Sequence, residues 1–453
     1  MTATGAPLGP ATYHEALAAL AERGRFGIRL GLGRTRALLR ALDDPQLAVR
    51  GALVAGTNGK GSVLALAGSA LRAAGRRVGE TPKPHLVSYR ERVQVDGRPI
   101  DPDAFTEHVR AVLAVADRVT RRHGDPTEFE LLTAVVFRHF AAAGLDVALV
   151  EVGLGGRLDA THAWDGGVAA ITNVDLDHTD RLGPTIGHIA REKAAIIERG
   201  DLAVTGTTGE ALAIVRRRAS RLGVPLTIVE PAPLVGQDRD GIEVELPRLG
   251  RTRVGLRGRH QAANVAVADA LLDALEVAGI VSADDDARRR GYAAATWPGR
   301  LELLAIDDHD VLLDGAHNPA GAAALATALD DLRPHLAPGP MTLVTASMAD
   351  KDVDGVISAL AKSAALRDAM VIATSVDVPR ALAAEDLADR WRAVRPRVAG
   401  VTAVHDPIRA LKAALDRPGP TVVAGSLYLV GAVRAHLVDD PALRDPPLDE
   451  PHR

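Results

Sequence analysis

The sequence predicts an α/β protein of two domains. Each is a mostly parallel sheet flanked by helices, and the smaller, Rossmann-like domain lies on the C-terminal side. Three observations carry this expectation. The first is the stretch Ala-Leu-Val-Ala-Gly-Thr-Asn-Gly-Lys-Gly-Ser at 52–62, an apolar strand running into a glycine-rich turn and then a helix-like run. The second is a set of short valine-rich runs that end in polar or acidic residues, Asp-Val-Ala-Leu-Val-Glu at 146–151 and Val-Ala-Ala-Ile-Thr-Asn at 168–173. Such runs are the mark of buried parallel strands. The third is a restart. After Thr-Trp-Pro-Gly-Arg at 296–300, strand patterns at 310–314, 341–346, 369–374, 401–404 and 421–424 alternate with helical ones again. The expected division is an N-terminal domain at 1–298, a C-terminal domain at 299–438 and a disordered, Asp- and Pro-rich tail at 439–453.

Composition narrows the function classes. The 453 residues are 47% apolar and 25% charged, as in a soluble globular protein large enough for two or three cores. A net charge of −4 argues against a general nucleic-acid binder. No apolar run is long enough to span a membrane, and residues 1–7 lack the charged and apolar segments of a signal peptide. With no cysteine there can be no disulfide, cysteine–zinc site or thiol catalysis, so the cytosol is the expected compartment. Only six lysines stand beside 48 arginines. In such a chain a lysine is retained chiefly where a compact or deprotonatable amine matters.

Taken in order, residues 11–50 read as helical, and 77–80 as a second strand that ends at Thr-Pro-Lys-Pro-His, 81–85. Helices are expected at 103–123, 128–143, 185–198 and 209–222, with a strand at 202–205. Between 236 and 257 the pattern turns to alternating, hairpin-like β, and helices begin near 261 and 284.

Chemistry gathers where strands end. In open α/β sheets ligands bind beyond the carboxyl ends of strands. At 56–62 the loop N–H groups and the helix N-terminus face an anion, with Lys60 adding a point charge. The spacing is not the strict Walker form, because two residues separate Gly56 from Gly59 and Gly61 follows Lys60. The loop reads as a nucleoside triphosphate site, with an ordinary glycine turn as the alternative. Glu151 follows four apolar residues and should emerge near the phosphates as a magnesium ligand; a salt-bridged cap is the alternative. His178 sits among Asp175, Asp177 and Asp180 as a candidate ligand, though no zinc spacing surrounds it. Lys193, on a helix, reads by itself as a solvated lysine, and Asp314 and His317 close a strand of the second domain.

Together these motifs resemble the folylpolyglutamate synthase/dihydrofolate synthase family, a branch of the Mur ligases. The matching stretches are 55–62, 84–93, 127–133, 151–161, 177–179, 190–194, 258–264, 297–302, 314–319, 350–352 and 425–428, in consistent order. The resemblance implies a ligase that adds L-glutamate to a folate, or to dihydropteroate, through an acyl phosphate made with ATP. It implies that Thr57, Asn58, Gly59, Lys60, Gly61 and Ser62 hold the ATP phosphates, and that Glu151 and His178 bind Mg²⁺. Asn264, Arg300, Asp314 and His317 would serve the nucleotide. Thr127, Phe129, Leu158, Asp159 and Ala160 would contact the pterin-bearing substrate. Lys193 matches the family's carbamylated lysine, a ligand for a second ion, so Lys60, Lys193 and His317 are the expected catalytic residues.

Lys83 departs from the pattern, standing where the family usually has a metal-proximal serine. A cation cannot ligate Mg²⁺. Lys83 is therefore expected to point at phosphate oxygens beside Lys60, with a solvated, swung-away side chain as the alternative. Arg29, where some pterin-using relatives carry an acid, weighs against dihydropteroate as substrate. Competing readings are a Mur-type ligase for a non-folate carboxylate and a nucleotide-binding regulatory pseudo-ligase. No nucleic-acid or membrane partner is expected, and the chain is expected to be a monomer.

Overall fold

The computed structural model describes residues 9–24, 29–394 and 400–447. Contacts divide the chain into two compact units, one of 1–230, 267–291 and 441–453, the other of 231–266 and 292–440. This division differs from the expected single cut at 298/299, because neither unit is one continuous run of chain.

The first unit holds an eight-stranded sheet. Its strands in chain order are β1 (Gly51–Ala55), β2 (Val78–Thr81), β3 (Gln94–Val95), β4 (Arg98–Pro99), β5 (Val147–Glu151), β6 (Gly167–Ile171), β7 (Leu202–Thr205) and β8 (Leu226–Ile228). They lie in the spatial order β4-β3-β2-β5-β1-β6-β7-β8, parallel from β2 through β8, with β3 and β4 adding an antiparallel edge. Every residue of β1 and β5 is buried, which explains why they read as continuous apolar runs rather than alternating ones. Val54 pairs with Glu151 and Ala55 with Ile171, so the loops after β1, β5 and β6 leave the sheet at one level. Helices Pro102–His123 and Glu128–Ala143 supply Phe105, Phe137 and Phe140 to the core, and Trp164 packs 5.4 Å from Phe137.

The expected disordered tail is corrected at its near end. Pro441–Leu443 form a 3-10 turn, and Asp445 accepts from Ser88 Oγ (2.6 Å) and Arg90 Nε (3.1 Å). The buried Arg90 guanidinium also donates to the carbonyls of Ile100, Ala442 and Arg444. Proline-rich composition suggested disorder, but these carbonyls have a fixed cationic partner. Residues 448–453 of the tail lie outside the described residues.

In the second unit, β9 (Leu234–Asp238), β10 (Gly241–Leu246) and β11 (Gly250–Val254) form the expected antiparallel sheet. It belongs with this unit because Arg239 donates to both carboxylate oxygens of Asp310 and Arg257 donates to the Leu301 carbonyl. The main sheet contains β12 (Glu302–Ile306), β13 (His309–Asp314), β14 (Thr342–Thr345), β15 (Met370–Ala373), β16 (Gly400–Ala403) and β17 (Thr421–Ala424). Its order is β12-β13-β17-β14-β15-β16, parallel except for β12. Strand β12 was absent from the expected set. Its residues 303–306 are apolar but mostly half-buried, as befits the edge of the sheet, where pairing with β13 and not local pattern defines the strand. Leu312, Leu343, Val371, Trp391 and Val422 are among the residues of a separate core.

Candidate active site

Strand β1 delivers the chain into the phosphate loop, and helix Lys60–Ala73 starts at its far side. Gly59, the residue before the helix, has φ 80°, a left-handed conformation that suits glycine. At Gly56 a Cβ would lie 1.8 Å from Thr172 Oγ1, so only glycine lets the loop close on β6. The loop is pinned from that side. Asn58 N–H donates to Asn173 Oδ1 (2.9 Å), Thr57 N–H to the Asn173 carbonyl (3.1 Å), and Thr172 Oγ1 to the Asn58 carbonyl (2.6 Å). Thr57 Oγ1 in turn accepts from Asp175 N–H (3.0 Å). These contacts with residues 172–175 set the shape of the loop.

Two lysines converge on one carbonyl. Lys60 Nζ donates to the Gly56 carbonyl (3.1 Å) and the Thr57 carbonyl (3.2 Å), and Lys193 Nζ donates to Gly56 O (2.8 Å) from helix Ile186–Ala194. Lys60 Nζ is also 3.8 Å from Glu151 Oε1 at the end of β5. Lys193 is 5% exposed, not the solvated helix lysine its local sequence suggests. Burial, reinforced by the charge of Lys60 and opposed by Asp177 and Asp159, lowers its pKa to about 7.

Lys83 is not swung away into solvent. Its N–H donates to Glu151 Oε2 (2.9 Å) and its Nζ to the Glu151 carbonyl, with the ammonium 4.9 Å from the centroid of the Phe129 ring. A carbonyl acceptor and an aromatic face draw the amine toward Phe129 instead of leaving it to solvent. Burial lowers its pKa to about 8 against the raising influence of Asp159 and Glu151. His85 turns into its own loop, where its Nδ1 accepts from Arg92 Nε at 2.8 Å.

The metal-ligand candidates Glu151 and His178 lie at the ends of β5 and beyond β6. Glu151 is 3% exposed, whereas the His178 side chain is 43% exposed and its Nε2 stands 3.9 Å from Asp177 Oδ1. Among the described residues no three His, Asp or Glu side chains form a ready-made metal cage. This donor set fits Mg²⁺, which takes one or two carboxylates and completes its octahedron with phosphate oxygens and water.

The comparisons with known proteins point one way. The profile of the dihydrofolate synthetase C-terminal domain matches residues 301–436. A dihydrofolate synthase/folylpolyglutamate synthase of Bacillus subtilis is 33% identical over 439 residues, covering 94% of this chain and 99% of that protein. The chain belongs to the folylpolyglutamate synthase/dihydrofolate synthase family. A probable bifunctional folylpolyglutamate synthase/dihydropteroate synthase of Haloferax volcanii is 36% identical over 443 residues, 93% of this chain; the chain spans 50% of that longer protein. Among solved structures, a bifunctional folylpolyglutamate synthase/dihydrofolate synthase of Yersinia pestis complexed with AMPPNP and a Mn ion superposes with TM-score 0.80 at 30% identity, covering 96% of this chain and 100% of that one.

Of the residues that the resemblance assigns to the pterin-bearing substrate, Phe129 and Asp159 come together near Lys83. A Cβ on Gly153 would lie 2.9 Å from Phe129 Cζ and 3.1 Å from Asp159 Oδ2, so ring and carboxylate flank the same glycine. Asp159 is fixed by Leu154 N–H (2.8 Å) and Thr161 Oγ1 (2.6 Å), and starts the 3-10 turn containing the buried Ala160. The Leu158 carbonyl accepts from Gly31 N–H (3.3 Å). Thr127 is the cap of helix Glu128–Ala143, in a reciprocal box with Glu130. Arg34 clamps that box by donating to both Glu130 oxygens at 3.0 and 2.9 Å.

In the second unit Arg300 and His317 lie at the turn that follows Asp314, while Asn264 is held by Gln261. The Asp314 oxygens accept from Leu301 N–H and Ala316 N–H at 2.9 Å each. Burial raises its pKa, against the opposing influence of Arg300 and His260. Arg300 lies over Gly315, where a Cβ would meet its guanidinium at 2.0 Å. His317 Nδ1 pairs with the Gly315 carbonyl (2.8 Å), and Asn264 Nδ2 donates to Gln261 Oε1 (2.8 Å).

Sequence reasoning missed Thr172 and Asn173 as the backing of the phosphate loop, and Arg34 as the clamp on Thr127. The first pair could have been found, since both stand at the carboxyl end of an apolar strand. Arg34 gave no local signal, being 96 residues from Glu130.

Proposed function

We propose that the chain is an ATP-dependent ligase that joins L-glutamate to a folate. The observation that carries this reading is the convergence of Lys60 and Lys193 on the Gly56 carbonyl with Glu151 beside Lys60, in a chain of this family. In the reaction a substrate carboxylate takes the γ-phosphoryl group of ATP, and the glutamate amine displaces phosphate from the resulting acyl phosphate. Little covalent chemistry falls to the protein, so its work is orientation and charge stabilisation. The N–H groups of 57–62 cradle the phosphates, and the Lys60 ammonium moves from its two carbonyls onto phosphate oxygens. Glu151 and His178 would hold Mg²⁺, which when bound would supply charge neutralisation to the phosphates. Thr127, Phe129 and Leu158-Asp159-Ala160 hold the pterin-bearing substrate, while Asn264, Arg300, Asp314 and His317 serve the nucleotide.

Lys193 takes up carbon dioxide in this reading. The neutral amine attacks CO₂, one N–C bond forms and one proton leaves, giving an anionic carbamate suited to a second divalent ion. An amine with a pKa near 7 is available in its neutral form at neutral pH. Intact-mass measurement in bicarbonate is expected to find a gain of one CO₂ that is absent in Lys193→Met. An unmodified wild-type chain in bicarbonate overturns this assignment.

Phosphate release measured with dihydropteroate, tetrahydrofolate or a cell-wall precursor, each with ATP and glutamate, tests the function. Release that depends on a pteridine substrate is expected. Release with the cell-wall precursor alone would make the chain a Mur-type ligase, and ATP binding without release in any mixture would favour a regulator.

A further inference from the structure

We propose that Lys83 is a positioning and specificity-determining residue on the folate side of the site, tying the carboxyl end of β5 to the Phe129 ring. The proposal rests on the reading of Phe129 and Asp159 as substrate residues. Lys83 touches Glu151 at two points: its N–H donates to Oε2 at 2.9 Å, and its Nζ donates to the main-chain carbonyl. The first contact is available to any residue other than proline at 83. The second requires a long side chain ending in a donor. The same ammonium lies 4.9 Å from the centroid of Phe129, whose ring faces Gly153 two residues after Glu151. The side chain reaches these partners along a narrow gap that it lines with Phe129, Leu132, Thr133, Val136 and Val150. One amine thus joins the strand end carrying Glu151 to the helix start carrying Phe129, within electrostatic reach of Asp159.

The test uses the full chain and measures binding of tetrahydrofolate without nucleotide or metal, with AMPPNP binding measured separately. Lys83→Met keeps the stem and removes the charge and the donor, and is expected to weaken folate binding about five- to twentyfold. AMPPNP affinity measured without metal should change less than folate affinity, since the amine bonds the Glu151 carbonyl and the Phe129 ring and meets Lys60 of the phosphate loop only through charge. Lys83→Gln retains a donor for the Glu151 carbonyl and should recover part of the loss. Phe129→Leu should also weaken folate binding, and the double variant with Lys83→Met should lose less than the two single losses combined, because the cation–ring contact is counted in both. Unchanged folate affinity in both Lys83 variants, or a loss confined to AMPPNP, overturns the proposal for Lys83 alone. Unchanged folate affinity in Phe129→Leu overturns the reading of Phe129 as a substrate residue and the proposal with it. Melting curves of each variant identify losses that come from unfolding.

Discussion

Lys193 is an amine held where its own charge is disfavoured. It is 5% exposed, one carbonyl accepts from it, and Lys60 adds a like charge nearby. Its folded pKa of about 7 lies below the unfolded value of 10.5, so the folded state binds the proton more weakly. The resulting destabilisation is complete below about pH 7 and is relieved as pH rises toward the unfolded value. In CO₂-depleted buffer, Lys193→Met is expected to be more stable than wild type at pH 6 by about 3 kcal/mol, after allowing for the lost hydrogen bond to Gly56. Most of that gain should vanish at pH 9.5. Urea unfolding at the two pH values checks it, and a gain independent of pH would contradict the buried-cation account. The cost is a reason to regard this lysine as retained for chemistry, since an apolar residue would pack there without penalty.

The segment that turns back from the end of the second unit acts as a brace for the loop after β2. Arg90 sits in the 3-10 turn Tyr89–Arg92, whose neighbour Ser88 shares Asp445 with it, and His14 Nε2 pairs with the Pro446 carbonyl at 2.7 Å. Residues 84–93 begin one position beyond Lys83, so this brace steadies the chain that follows it. Replacing Arg90 by Ala leaves three carbonyls without their charged donor and is expected to cost about 2–3 kcal/mol in urea unfolding. Hydrogen exchange in 84–93 should rise in parallel. Deleting the residues after Asp440 should give a similar loss, because the buried guanidinium would then lack three of its acceptors. A deletion with wild-type stability and exchange would show the contact to be incidental.

For the whole molecule, nucleotide binding has a thermodynamic consequence. A ligand that binds the folded chain but not the unfolded one stabilises it by mass action, by about 2.7 kcal/mol at a hundred times Kd. AMPPNP with Mn²⁺ is therefore expected to raise the melting temperature of the wild-type chain. Lys60→Met should abolish most of the rise, read against the variant's own ligand-free melting temperature, which should itself fall because two carbonyls and the buried Glu151 lose the Lys60 ammonium. A full rise in Lys60→Met would remove Lys60 from the phosphate site. Much of the architecture behind this was legible in the amino-acid order. The strand–glycine–helix unit at 51–73, the buried strands ending at Glu151 and Ile171, and the alternation in the second unit are each written within a few consecutive residues. Backbone hydrogen bonding and side-chain periodicity act over that same short range. Other features had no local pattern to read. The placement of the 234–254 sheet with the second unit depends on Arg239 meeting Asp310, and the order of the near end of the tail depends on Arg90 meeting Asp445. Lys83 could be named as a departure from its sequence, but its direction was set by Glu151 and Phe129, 68 and 46 positions further along the chain. A lone cation carries no signal of which distant carbonyl or ring will take it. Only the folded chain, by bringing those partners to one strand end, decided that this lysine turns to the Glu151 carbonyl and the Phe129 ring.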